Sequence, residues 1–91
     1  MRYKSKPVEI SAIQFTGDNA TEMVDFTNGK FMLLDEDDRL LCGDPDATAQ
    51  VFDELHSTWV LVYDTNWIIR GTKGEFYPCN NEVFLEKYEA V

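Results

Sequence analysis

The second half of the chain holds three short segments rich in β-branched and aromatic residues, at positions 59–63, 67–70 and 75–77. Turn-forming residues separate these segments, first at 64–66 and then at 71–74. Such side chains suit the pleated surface of a sheet, and connections this short join neighbouring antiparallel strands. The pattern therefore predicts a three-stranded antiparallel meander, ended by Pro78, as the main element of the fold.

A strand and a helix are predicted before this meander. Residues 7–16 begin with alternating apolar and polar side chains, as a half-buried strand does. Asn19 is a suitable helix cap with Glu22 as its capping-box partner. Asn28 and Gly29 form a natural left-handed stop, so the helix is expected to end there.

The pattern in the middle of the chain fits more than one structure. Two apolar runs, at 31–34 and 39–42, are joined by the acidic residues 35–38, which indicates a hairpin with an acidic loop. The next segment, 43–57, has two interpretations. Asp44-Pro45 suits the start of a helix, and it equally suits a turn that leads into a strand. Local chemistry favours the helix slightly.

A final helix is expected after Asn80 or Asn81, because Val83, Phe84 and Tyr88 recur at helical spacing and can pack on the sheet. The 91 residues leave room for a single domain, residues 1–91, with one core. The predicted class is α+β: a small, mainly antiparallel sheet with one or two short helices packed on a face.

Acidic residues are concentrated in the middle of the chain. Eleven of the seventeen carboxylates lie between Asp18 and Glu54, where Lys30 and Arg39 are the only basic residues. This stretch accounts for the whole net charge of −9. A concentrated negative field repels nucleic acid and anionic membranes and attracts basic protein surfaces. The sequence also has no apolar run of membrane-helix length, and it predicts a soluble, cytoplasmic protein.

Residues 66–79 read Asn-Trp-Ile-Ile-Arg-Gly-Thr-Lys-Gly-Glu-Phe-Tyr-Pro-Cys and are followed by Phe84 and Tyr88. This motif resembles the end of small uncharacterised proteins of phages and prophages of Gram-positive hosts. Those proteins read Pro-Gly-Asp-Trp/Tyr-Ile-Ile-Lys-Gly and then Lys-Gly-Glu-Phe/Tyr-Tyr-Pro-Cys. The start of the chain, residues 3–19, is similar to the start of the same proteins. The resemblance implies a phage origin and no particular activity, and the acidic middle has no counterpart in it.

The acidic residues of the middle segment are the candidates for contact with a protein partner. They are Asp35, Glu36, Asp37, Asp38, Asp44, Asp46, Asp53 and Glu54. Trp59 joins them, because exposed aromatic side chains supply much of the binding energy of an interface. For residues 35–38 a solvated acidic turn is the default interpretation, and a docking surface for a basic partner is the alternative.

The glycine-rich loop 71–74 is a candidate phosphate site. Gly71 and Gly74 expose backbone N–H groups, and Arg70 and Lys73 add positive charge. The loop joins two predicted strands, however, whereas a nucleotide-binding loop leads from a strand into a helix. A plain hairpin turn is therefore the stronger interpretation.

The sequence contains no catalytic or metal-binding motif, and it predicts neither an enzyme nor a cofactor. His56 is the sole histidine, and its spacing from Asp53 and Cys42 does not bring the three together. Residues 35–38 have the charge of a calcium loop but lack its glycine and glutamate positions. Cys42 and Cys79 are expected to be reduced and largely buried thiols.

Three functions are compatible with these features. The first is a phage-type accessory protein that inhibits a host nucleic-acid-handling or defence enzyme, as anti-CRISPR and anti-restriction proteins do, with carboxylates replacing DNA phosphates. The second is a sponge for a small signalling nucleotide, bound at the loop 71–74. The third is a structural or assembly module that associates with itself through a strand edge. A homodimer is compatible with each of them.

Overall fold

A computed structural model describes residues 10–88, and this part of the chain forms six strands and three helices. In order, they are β1 (Ser11–Gln14), α1 (Ala20–Phe26), β2 (Phe31–Leu33), α2 (Glu36–Cys42), β3 (Ala49–Asp53), β4 (Thr58–Val62), β5 (Trp67–Arg70), β6 (Phe76–Cys79) and α3 (Asn81–Lys87). The predicted α+β class is confirmed. The first residues of the predicted strand 7–16 lie outside the described residues.

The strands form two antiparallel sheets, so the prediction of a single C-terminal meander is wrong. Sheet A has the order β1-β5-β6, and sheet B has the order β2-β3-β4. The chain passes from one sheet to the other between β4 and β5, where the Thr65 N–H donates to the Phe15 carbonyl beside sheet A. Pro78 lies within β6 instead of ending it. An edge strand accommodates a proline because one side of its backbone needs no partner.

The core lies between the two sheets. Its buried side chains are Phe15, Met23, Phe31, Ala49, Val51, Val62, Ile68 and Phe76. Edge-to-face contacts of Phe15 with Phe31, and of Phe26 with Phe76, connect sheet A to sheet B and to α1. Each large apolar side chain buried here stabilises the fold by about 1.5–3 kcal/mol. The contact between the sheets therefore supplies most of the hydrophobic stabilisation.

The prediction of a hairpin with an acidic loop at 35–38 is wrong, because this segment begins helix α2. Asp35 is the N-cap, and its carboxylate accepts a hydrogen bond from the Asp38 N–H at 2.8 Å. Gly43 ends the helix in the left-handed conformation, with φ of 75°. The acidic first turn also complements the positive end of the helix dipole. Capping therefore outweighs the apolar run that suggested a strand.

The helix slightly favoured within 43–57 is also wrong, and the alternative of a turn leading into a strand is correct. The strand is β3, which lies at the centre of sheet B. Ala49, Val51 and Asp53 are buried and alternate with the half-buried Gln50 and Phe52. This alternation is the signature of a strand, but the acidic residue at an inward position conceals it.

Asn19 lies at the N-cap position of α1, as predicted, but its side chain does not make the predicted capping hydrogen bond. It accepts from the Thr16 N–H and donates to the Glu22 carboxylate, which ties the preceding turn to the helix. Asn28 and Gly29 both have positive φ, so the predicted left-handed stop is confirmed.

Helix α3 covers the outer face of sheet A, the face that points away from the core. Asn80 caps this helix by accepting a hydrogen bond from the Glu82 N–H. The Phe84 ring stacks on Trp67, with 4.1 Å between the ring centroids and 7° between the planes. Tyr88 packs against Phe84 from the end of the helix. Sheet A is therefore covered on both faces.

Candidate protein-binding surfaces

Four of the candidate acidic residues lie at the start of α2. Asp35, Glu36, Asp37 and Asp38 are all exposed. None of the four forms an ion pair with another residue of the described segment 10–88. One helical turn holds them close together, so their fields add and attract a basic surface.

The loop after α2 adds two carboxylates to this end of the molecule. Asp46 is exposed, whereas Asp44 is half-buried and accepts a hydrogen bond from the Tyr63 hydroxyl. That bond, with a further one from the Asp46 N–H, lowers the pKa of Asp44. Pro45 and Leu40 line one shallow depression, so the loop and the helix lie side by side. The acidic end, as we use the term below, comprises Asp35, Glu36, Asp37, Asp38, Asp44 and Asp46.

Asp64 adjoins the acidic end, although the sequence did not single it out. Its carboxylate accepts a hydrogen bond from the Thr48 hydroxyl at 2.8 Å. The Thr48 N–H in turn donates to the Val62 carbonyl, which brings the two loops together. The contact joins residues sixteen positions apart. Only the pairing of β3 with β4 brings them together, and no local motif indicates it.

The other two candidate acids, Asp53 and Glu54, lie at the opposite end of sheet B. The five residues of β3 separate them from the acidic end by about 13 Å. Asp53 is only 7% exposed. Its carboxylate accepts from the Leu55 and His56 N–H groups and lies 2.7 Å from His56 Nδ1. Glu54 pairs with Lys30. The eight predicted contact residues therefore do not form one surface. We exclude Asp53 and Glu54 from the candidate binding surface.

The bonds around Asp53 also affect its ionisation. The hydrogen bond to His56 is the main cause of a lowered pKa, and the backbone N–H groups act in the same direction. Burial opposes them, because a carboxylate is less stable away from water. At neutral pH the carboxylate is therefore ionised. Its hydrogen bonds lie within the β3–β4 turn, so it cannot contact a partner.

Trp59 lies away from the acidic end, on the face of sheet B that points away from the core. The register pairs it with Phe52, and the two rings make an edge-to-face contact at 5.4 Å. The next row contains Met32, Gln50 and Leu61. We call these five residues the outer face of sheet B. Unlike the outer face of sheet A, it is open: Met32 is 49% exposed and Trp59 is 42% exposed.

The glycine loop between β5 and β6 is a hairpin turn whose backbone groups are already engaged. The Gly71 N–H donates to the Glu75 carbonyl, and the Gly74 N–H donates to the Gly71 carbonyl. The Glu75 carboxylate accepts from the Lys73 N–H at 3.0 Å. The Glu75 carboxylate therefore occupies a backbone N–H group of the loop that a bound phosphate would need. Arg70 is exposed beside it, but this arrangement does not favour an anion.

Asp53 and His56 do meet, although their spacing did not predict it. Cys42 is the last residue of α2, and its side chain lies outside the part of the chain that the structure describes. Within residues 10–88, no three His, Cys, Asp or Glu residues are placed to hold a metal ion. Cys79 carries a free, half-buried thiol.

Two leucines of α2 point into solvent, which the predicted hairpin did not suggest. Leu40 is 77% exposed and Leu41 is 86% exposed. A helix of seven residues has little stability of its own and usually gains it by burying an apolar face. Helix α2 buries neither leucine, so it depends on its caps and presents apolar side chains beside the acidic ones.

No helix in the described part of the chain combines the length and the apolar character needed to cross a bilayer. The resemblance to phage proteins remains a prediction that rests on the motifs quoted above. Comparisons of the chain with protein-family models, with curated proteins and with solved structures yield no match.

Proposed function

We propose that this protein is a small non-enzymatic inhibitor of a host nucleic-acid-handling or defence enzyme, which it binds through the acidic end. The observation that carries the proposal is the group of exposed carboxylates at the start of α2, which form no ion pair within residues 10–88. A groove that binds nucleic acid is lined with lysine and arginine side chains. Carboxylates held close together satisfy those side chains in place of phosphates.

The charge distribution supports both fast and selective binding. A net charge of −9 steers the protein towards a basic surface and raises the association rate. Slow dissociation needs apolar contact as well. Leu40 and Leu41 stand beside the acidic residues and provide it at the same surface.

A retention experiment tests this function. The tagged protein is immobilised and exposed to a lysate of a Gram-positive bacterium. A basic protein should be retained at about 50 mM salt and released at about 500 mM, because salt screens charge pairs at an interface. Duplex DNA should also displace it, and the retained enzyme should lose activity when the soluble inhibitor is added.

Two matched variants locate the binding surface. Asp37→Asn/Asp38→Asn removes two charges from the acidic end without changing side-chain shape, and it should weaken binding about tenfold or more. Glu82→Gln/Glu86→Gln removes the same charge from exposed positions on α3 and should leave binding almost unchanged. Equal effects of the two variants would refute the role of the acidic end. Retention that resists salt and DNA would refute phosphate mimicry itself.

The nucleotide sponge has less support, because the Glu75 carboxylate occupies the loop that would hold the phosphate. Calorimetry with cyclic nucleotides tests it directly. A structural or assembly function is supported by a separate surface, the outer face of sheet B.

A further inference from the structure

Strand β4 lies at one edge of sheet B, and alternate residues of this strand turn their backbone groups away from the sheet. The Phe52 N–H donates to the Lys30 carbonyl, so even-numbered residues of β3 face β2 and odd-numbered ones face β4. The register then directs the backbone of Val60 towards β3, and the N–H and C=O groups of Trp59 and Leu61 point outwards. We call these outward groups the β4 edge.

The other edge strands within residues 10–88 each have a feature that limits pairing with a further strand. In β6, Pro78 lies at an outward position and has no N–H to donate. In β1, the outward carbonyl of Gln14 already accepts a hydrogen bond from the Asn19 side chain. Strand β2 has only three residues. Strand β4 has five, with no charged residue and no proline, so it lacks the usual protection of an exposed edge.

The turn after β4 determines how far the open edge extends. Tyr63 is the next outward residue, and both of its backbone groups bond to Asn66. The Trp59 carbonyl has one long contact, at 3.4 Å, with the Thr58 hydroxyl. Within residues 10–88, nothing bonds to the outward N–H and C=O groups of Leu61. The β4 edge is therefore open around Leu61 and closed at Tyr63.

Negative charge is concentrated where β4 runs into this turn. Asp64 is exposed, and its carboxylate accepts a hydrogen bond from a neutral group, the Thr48 hydroxyl. The same carboxylate lies beside Gly17, and the adjoining Asp18 is exposed as well. Neither acid forms an ion pair within the described segment. A strand added at this edge therefore meets carboxylates that lysine or arginine side chains would neutralise.

We propose that the β4 edge binds an extended, basic segment of a partner protein, which joins sheet B as a fourth, antiparallel strand. Main-chain hydrogen bonds to Trp59 and Leu61 hold this segment, as in other cases of strand addition. Its alternate side chains lie next to those of Trp59 and Leu61 on the outer face of sheet B, where apolar residues gain contact. Its basic side chains pair with Asp64 and Asp18.

A second copy of this chain is a poorer occupant of the same edge. Strand β4 contains no basic residue, so a copy cannot supply the positive charge that Asp64 calls for. Each copy also carries a net charge of −9, and two copies repel. The inference does not depend on the proposed function, because the β4 edge and the start of α2 use different groups and are altered by different substitutions.

A blocked peptide, Lys-Val-Lys-Val-Lys, tests the proposal with the full chain, and amide exchange measured by NMR is the readout. In the free protein, the outward amide of Leu61 should exchange at least about tenfold faster than that of Val60, which bonds to β3. The peptide should slow exchange at Trp59 and Leu61 about tenfold and leave Val60 unchanged. The acidic counterpart Glu-Val-Glu-Val-Glu should not bind.

Methylated peptides separate strand addition from side-chain docking. In an antiparallel strand whose valines lie beside Trp59 and Leu61, the valine N–H groups face β4 and the lysine N–H groups face solvent. Methylation of the valine nitrogens should therefore abolish binding, whereas methylation of the lysine nitrogens should preserve it. Any other pattern would overturn the proposal, and so would the absence of peptide binding up to about 1 mM.

Two variants at one position test the edge from the side of the protein. Leu61→Pro removes the outward N–H without removing a bond to β3, as Pro78 does in β6, and it should weaken peptide binding at least about tenfold. Leu61→Thr keeps the N–H and the strand propensity, and it should retain most of the binding. Equal binding by the two variants would refute the role of the edge.

A third variant covers the case in which Leu61→Pro fails to fold, which urea unfolding would reveal. Asp64→Asn leaves the backbone unchanged and should weaken binding of the basic peptide about threefold at low salt. Binding that is unaffected by Asp64→Asn would contradict the charge of the proposed occupant. In the proposed inhibitor complex, Leu61→Pro should have no effect, because every carboxylate of the acidic end stays in place.

Discussion

Asp53 shows how one buried carboxylate determines the conformation of a turn. The β3–β4 turn passes through Ser57 at a φ of 53°, a left-handed conformation that a serine adopts only with support. Asp53 supplies that support by accepting hydrogen bonds from the N–H groups of Leu55 and His56. A buried acid without such partners would destabilise the fold. Here it closes the hairpin that aligns β3 with β4.

The first prediction concerns the pH dependence of this residue. The fold lowers the pKa of Asp53, so its stabilisation is complete above the ordinary value of 3.8 and is lost as pH falls through the lowered value. Asp53→Asn should reduce the free energy of unfolding by about 1–3 kcal/mol at neutral pH. Urea unfolding at a series of pH values should show this difference shrinking in acid. A difference that stays constant would mean that the charge of Asp53 is irrelevant.

At the scale of elements, the sequence predicts a segment well where burial and local chemistry agree. Helix α3 follows Asn80 as expected, because its cap and its apolar spacing point to the same structure. In α2 they conflict: Leu40 and Leu41 look like core residues but are exposed. The decisive signals were the caps at Asp35 and Gly43, which the apolar run obscured.

Sheet pairing was less predictable, because it depends on residues distant in the chain. The β4–β5 turn is short enough for a hairpin, but Thr65 pairs with Phe15, fifty residues earlier. The same limit applies to the candidate site. The sequence identified the charges of the acidic end, but not that β3 separates Asp53 and Glu54 from them or that Asp64 joins them.

The second prediction concerns the stability of α2. Asp35→Ala removes the bond to the Asp38 N–H and should destabilise the helix by about 1 kcal/mol. Because α2 buries little apolar surface, the loss of stability should be confined to this helix. Hydrogen exchange of the α2 amides should accelerate about fivefold, while exchange in β3 stays the same. Leu41→Lys, at a side chain already in solvent, serves as the control and should alter neither.

The third prediction concerns the attachment of α3 to sheet A. Phe84→Ala removes the ring that stacks on Trp67 and should reduce the free energy of unfolding by about 2 kcal/mol. Tryptophan fluorescence should change even in the folded state, because Trp67 becomes more exposed. Leu85→Ala on the same helix alters an exposed side chain and should change stability by less than about 0.5 kcal/mol. Equal losses would mean that the stack does not hold the helix.

At the scale of the whole molecule, the acidic end and the outer face of sheet B differ in charge and are built from different elements. The acidic end is built from α2 and the loop before β3, whereas the outer face is formed by alternate residues of β2, β3 and β4. Tyr63 connects the two, because it follows β4 and its hydroxyl donates to the Asp44 carboxylate.

The last prediction concerns the effect of the net charge on stability. Carboxylates held together in the fold repel one another, and unfolding separates them. Raising sodium chloride from about 10 to 200 mM should therefore increase the free energy of unfolding by about 1 kcal/mol at pH 7. The control is the same salt step near the sequence pI of about 4.3, where the net charge vanishes and the effect should disappear. An effect of equal size at both pH values would point to a general action of salt on burial. If stability depends on salt only at pH 7, repulsion between the exposed carboxylates destabilises the fold. Side chains that destabilise a fold are expected at a binding surface, where function requires them.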